Sequence, residues 1–90
     1  MKTRAHLIIQ GKVQGVFFRA ETKQRGDAAG VLGWVKNLED GNVEAVFEGE
    51  KDAVERLIDF CRRGPRNASV TQIDLSYEEY KGEFNTFRME

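Results

Sequence analysis

Arg19 and Asn37 are the two side chains best suited to chemistry in this sequence, and both sit beside glycine-rich turns. The stretch Gly11-Lys12-Val13-Gln14-Gly15-Val16-Phe17-Phe18-Arg19 follows an apolar strand and leads into a helical segment. Glycine admits positive φ and close backbone approach, so successive N–H groups can converge on one oxyanion. A helix N-terminus adds partial positive charge, and the arginine fork matches phosphate or carboxylate in two hydrogen bonds. Together they describe an anion cradle. Asn37 precedes a turn and carries a carboxamide that can donate to a phosphoryl oxygen while accepting from water. From position alone it reads first as a hairpin asparagine that caps the turn.

The rest of the chain narrows the chemistry by what it lacks. There is one histidine and one cysteine, with no His/Cys/carboxylate cluster at metal-ligand spacing. The glycine loop matches neither dinucleotide nor nucleoside-triphosphate fingerprints. His6 lies on a strand and reads as a solvated side chain, and Cys61 falls on the apolar stripe of a helix. A reaction run without a metal, nucleophile or evident base needs a good leaving group. A carboxylate is one, because its conjugate acid has a pKa near ~4 and it departs without protonation. A carboxyl–phosphate mixed anhydride fits that demand, and positioning with electrostatic stabilisation can carry most of phosphoryl transfer.

Several elements must position these groups. Residues 4–10 alternate, with Ala5, Leu7 and Ile9 on one face and Arg4, His6 and Gln10 on the other. A helix over about Arg19–Ala29 has Phe18, Thr22, Gly26 and Ala29 as its inner stripe, and Gly30 stops it. Strands near 31–38 and 42–48 flank Glu39-Asp40-Gly41-Asn42, where Asp-Gly signals a hairpin. In the second of these, Val43, Ala45 and Phe47 point inward and Glu44 and Glu48 outward. A second helix runs from acidic Glu50 and Asp52 to Arg62, Arg63 and the Gly64-Pro65 stop, with Ala53, Val54, Leu57, Ile58 and Cys61 as its core stripe. Residues 70–78 form a further strand, and a last one spans about 84–89. The order βαββαβ, with the late extra strand, predicts a ferredoxin-like α+β sandwich: an antiparallel sheet covered on one face by two helices.

Composition sets the class. Ninety residues, 40% hydrophobic and 32% charged, predict one domain over 1–90. No apolar run reaches the roughly 20 residues of a membrane span, the N-terminus lacks a signal-peptide pattern, and a lone cysteine suits a reducing compartment. A cytoplasmic monomer is the expectation. Residues 1–38 hold seven basic against two acidic side chains, whereas residues 39–90 hold seven against thirteen. If the first part forms one rim, small anions are steered toward it. Nucleic acid is a poor partner, since there is neither a dense basic stripe nor the aromatic signature of RNA-recognition motifs.

The pattern Gly11-x-Val13-Gln14-Gly15-Val16-x-Phe18-Arg19, followed by Gly33-Trp34-Val35-x-Asn37 and Asp40-Gly41, closely resembles the acylphosphatase family. Gly64-Pro65 and the Phe84–Met89 tail extend the resemblance over nearly the whole chain. The resemblance implies hydrolysis of small-molecule acyl phosphates with no metal and no cofactor. It implies that Arg19, with backbone N–H groups of Gln14, Gly15, Val16, Phe17, Phe18 and Arg19, binds the phosphoryl group and that Asn37 orients the attacking water. Ala29 and Leu38 depart from the leucine and threonine that relatives often carry there, and neither touches that pair. The competing expectation is a non-catalytic phosphate-binding or regulatory module on the same fold, which needs Arg19 and the loop but not Asn37.

Overall fold

The computed structural model describes residues 1–90. Strand β1 (Lys2–Lys12) leads to helix α1 (Phe18–Ala29), the hairpin strands β2 (Leu32–Asn37) and β3 (Val43–Glu50), helix α2 (Lys51–Arg63), strand β4 (Ser69–Glu78) and the short strand β5 (Phe87–Met89). The sheet order is β4-β1-β3-β2-β5. The first four strands pair antiparallel, while β5 lies parallel to β2, so the sheet is mixed and the fold is the expected ferredoxin-like α+β sandwich.

Register explains why one face is dry. Leu7 lies between Ala45 and Leu75, and Ile9 between Val43 and Ile73, so apolar positions line up across three strands. Ala5, Leu7, Ile9, Val35, Val43, Ala45 and Phe47 are fully buried there beneath the helices. Helix α2 contributes Ala53, Val54, Leu57, Ile58, Phe60 and Cys61, an amphipathic stripe at helical spacing. Phe60 joins the expected set and meets Phe18 of α1 with ring centroids 6.0 Å apart. Burial pushes the Cys61 thiol up to about 12, which leaves it an inert core residue despite its bond with Thr22.

Helix α1 packs through small residues. Phe18, Thr22 and Gly26 are buried, and a Cβ on Gly26 would come 2.9 Å from the ring of Phe87. The absent side chain is what lets β5 slide beneath the helix. Ala29 does not belong to this stripe, contrary to expectation, because the helix ends at it and the chain turns away at Gly30.

Two other expectations change on the open face of the sheet. Glu48 points away from the helices as expected, yet it is buried. The reason is the segment between β4 and β5, which crosses that face instead of extending β5 back to residue 84. The Lys81 N–H donates to Glu48 at 2.9 Å, and Arg4 donates to Glu48, Glu78 and Glu83 at 3.1, 3.0 and 2.6 Å. Burial alone would lower the Arg4 pKa, but these three carboxylates outweigh it and raise it. For Glu48, burial would raise the carboxyl pKa, and the Lys81 amide and Arg4 together hold it below its ordinary value.

Candidate active site

The loop between β1 and α1 is shaped by backbone geometry at each end. A bulge between Gln10 and Gly11 shifts the β1–β4 register, and a Cβ at Gly11 would sit 2.1 Å from the carbonyl oxygen of Ser69. Only glycine permits that approach. Gly15 (φ 74°) and Phe17 (φ 64°) both take left-handed conformations, so the chain turns sharply before entering α1. No side chain caps the helix, and the N–H groups of Gln14 through Ala20 donate to no acceptor within the chain. Consecutive unpaired N–H groups in such a turn, at a helix N-terminus, form a concave donor array suited to an anion.

The neighbouring phenylalanines face opposite ways. Phe18 is buried against Phe60, which anchors the first turn of α1, whereas Phe17 is 79% exposed. Arg19 follows, half-buried, and one guanidinium nitrogen donates to the main-chain oxygen of Glu90 at 2.6 Å. This single bond leaves most of the five guanidinium donors for a ligand. The tail that supplies it is held in place by β5 and by the Glu90 N–H donating to Val35 at 2.9 Å.

Asn37 ends β2, pairing with Val43, and is exposed. Its carboxamide makes no hydrogen bond within the turn. Asp40 does that work instead, accepting from the main-chain N–H and side-chain amide of Asn42 at 3.0 and 3.2 Å. The Leu38 N–H closes the turn onto Asn42 at 2.8 Å. Asn37 is thus a free amide where the sequence alone left open a capping role.

Arg19 and Asn37 line one cleft of about 320 Å³ together with Val13, Gly15, Phe17, Phe18, Ala20 and Met89. That lining holds one cation and one carboxamide, with no carboxylate, imidazole or thiol. Val16 turns into the core. A larger recess of about 380 Å³ between the helices, lined by Arg25, Arg56, Leu57, Phe60 and three alanines, shares none of these groups.

Two contributions escape the motif. The Gln14 side-chain nitrogen donates to the carbonyls of Leu38 and Asn42 at 2.8 and 2.9 Å, tying the loop to the turn beyond Asn37. Both acceptors are carbonyls, so the amide nitrogen must face them. Met89 reaches the cleft because β5 runs beside β2. An amide within a glycine loop is a visible signal, but its partners lie 24 and 28 residues away and no local pattern names them.

The family model described as acylphosphatase matches residues 5–89. The chain belongs to the acylphosphatase family. An acylphosphatase of Pelotomaculum thermopropionicum is 46% identical over 88 residues, covering 98% of this chain and 96% of that protein. One of Gloeobacter violaceus is 57% identical over 79 residues, covering 88% and 85%. The solved acylphosphatase structure from Coxiella burnetii superposes with a TM-score of 0.92 at 35% identity, covering 99% of this chain and 93% of that one. Acylphosphatase membership makes the chain an enzyme of the acyl phosphate hydrolase class and places its glycine loop, Arg19 and Asn37 within the matched region.

Proposed function

We propose that residues 1–90 act as one acylphosphatase-like domain that cleaves the carboxyl–phosphate bond at the Arg19–Asn37 cleft. The observation that carries this reading is the meeting of three unused sets of donors: the loop N–H groups, the spare Arg19 donors and the free Asn37 carboxamide. The phosphoryl oxygens sit among the N–H groups of Gln14 to Arg19 and the guanidinium. These fixed donors stabilise charge that spreads over the equatorial oxygens as the bond loosens.

Asn37 accepts a hydrogen bond from a water and donates to a phosphoryl oxygen, which fixes the line of attack. The water oxygen bonds to phosphorus as the opposite P–O bond breaks, and the electron pair leaves with the carboxylate. The water's proton passes to a phosphoryl oxygen of the substrate, because the cleft offers no side-chain base. Products are a carboxylate and inorganic phosphate. Gln14 acts through position: its two bonds to the hairpin turn hold the cradle and Asn37 at a constant separation.

Hydrolysis of benzoyl phosphate, followed with and without chelator, tests the reading. The wild type turns over in both conditions. Asn37→Ala lowers kcat by on the order of 10²–10³, the size of losing one oxyanion donor, while competitive inhibition by inorganic phosphate persists. Phosphate binding without turnover in the wild type would replace this reading with the non-catalytic anion module.

A further inference from the structure

The large hydrophobic side chains left exposed are Met1, Phe17, Tyr77, Tyr80 and Met89, and two of them line the same cleft. Phe17 is 79% exposed and Met89 48%, and they come from opposite ends of the sequence. Exposed apolar surface gains nothing from folding, and grouping it beside polar catalytic groups points to a ligand. Phe17 is also the residue that carries a left-handed backbone, at φ 64°. An L-residue with a Cβ is disfavoured there, whereas glycine or asparagine is at ease. The chain therefore keeps an aromatic ring where both backbone and solvent oppose it.

Its neighbours say what the ring is for. Val13, Ala20 and Phe18 complete the apolar part of the wall, and the lone cation is Arg19, already assigned to the phosphoryl group. An acyl group bearing its own charge would find no partner in this wall. An apolar, flat acyl group would find an aromatic face in Phe17 and a polarisable thioether in Met89, which favour ring contacts.

Resting on the proposed phosphoryl site, we propose that Phe17 and Met89 form an acyl subsite that selects aromatic acyl phosphates over small or charged ones. The phosphoryl end is gripped at the loop while the ring covers Phe17 and Met89. Binding energy from that remote contact then helps hold the P–O bond in line for attack. The subsite discriminates by apolar contact, so its strength follows the area it covers.

The test compares kcat/KM for benzoyl phosphate and acetyl phosphate across variants, since a change in their ratio cancels intrinsic leaving-group reactivity. Met89→Gln should lower the benzoyl-to-acetyl ratio by about tenfold, consistent with loss of part of one side chain's burial. Phe17→Asn suits the left-handed backbone and should shift the ratio further toward acetyl phosphate. Phe17→Leu, which stays apolar, should recover much of the benzoyl preference. Equal losses on both substrates, or a ratio unchanged in Met89→Gln and Phe17→Asn, would overturn the subsite while leaving the proposed hydrolysis intact. A wild type inactive on both substrates would instead remove the hydrolytic reading, and the subsite with it.

Discussion

Two arginines in different surroundings show how the neighbours turn one residue type to different ends. Arg4, on the open face, is 8% exposed and bonds three carboxylates, with its guanidinium also 5.3 Å from the centre of the Phe84 ring. Arg19, in the cleft, makes one bond, to the main-chain oxygen of Glu90, and no carboxylate side chain lines that cleft. The first is satisfied by its own chain and fastens the segment after β4 to the sheet. The second is oriented but unsatisfied. A guanidinium whose donors are consumed is structural, whereas one held in place with donors to spare is built to receive an anion.

The contrast can be broken most sharply by exchanging what each arginine loses. Arg19→Ala should abolish acyl phosphate hydrolysis and phosphate binding while leaving the urea midpoint near that of the wild type, because the side chain's single internal bond is exposed. Full activity in that variant, read from initial rates, would dissolve the distinction. Arg4→Ala should do the reverse. Breaking a buried charge network strands Glu48, at a cost of about 3 kcal/mol in unfolding free energy, while kcat of the folded fraction stays close to wild type.

A smaller effect separates the two regions by pH. Glu48 titrates below its ordinary value in the folded chain, so its contribution to stability is complete above the unfolded pKa and is lost as pH falls through the folded one. The stability gap between wild type and Glu48→Gln, taken from urea midpoints, should therefore narrow on acidification from neutral pH. A constant gap across that range would mean that Glu48 carries no such linkage.

Much of this was legible in residue order. Alternation in Ala5-Leu7-Ile9 and Val43-Ala45-Phe47 needs only the two-residue period of a strand to assign the buried face. Stop signals at Gly30 and Gly64 act within their own helix turns. The tight turns of the glycine loop were legible as well, because the demand for positive φ is local. The burial of Glu48 could not be read locally for the opposite reason. Its period is correct, but the chain that covers it, around Lys81 and Glu83, arrives from more than thirty residues away. The shortened β5 and the departure of Ala29 from the α1 stripe likewise follow from how distant segments meet.

Within the candidate site, the motif identified Arg19 and Asn37, and it left the amide of Asn37 undecided between turn and cleft. That choice became visible only once Asp40 and Asn42 were seen to close the turn between themselves. The side-chain role of Gln14 and the place of Met89 in the cleft had no local signal sufficient to assign them. Each acts through a neighbour brought close by the sheet.

Residue order by itself determined the elements, the dry face of the sheet and the tight glycine turns of the loop before α1, since periodicity, glycine conformation and helix termini operate over a few residues. Tertiary structure alone decided which arginine is spent and which is free, and what shares the cleft with Arg19 and Asn37. Those outcomes depend on pairing β5 beside β2 and on bridging the loop to the hairpin through Gln14. Such contacts join residues far apart in sequence, and their partners are chosen by the packing of the whole chain.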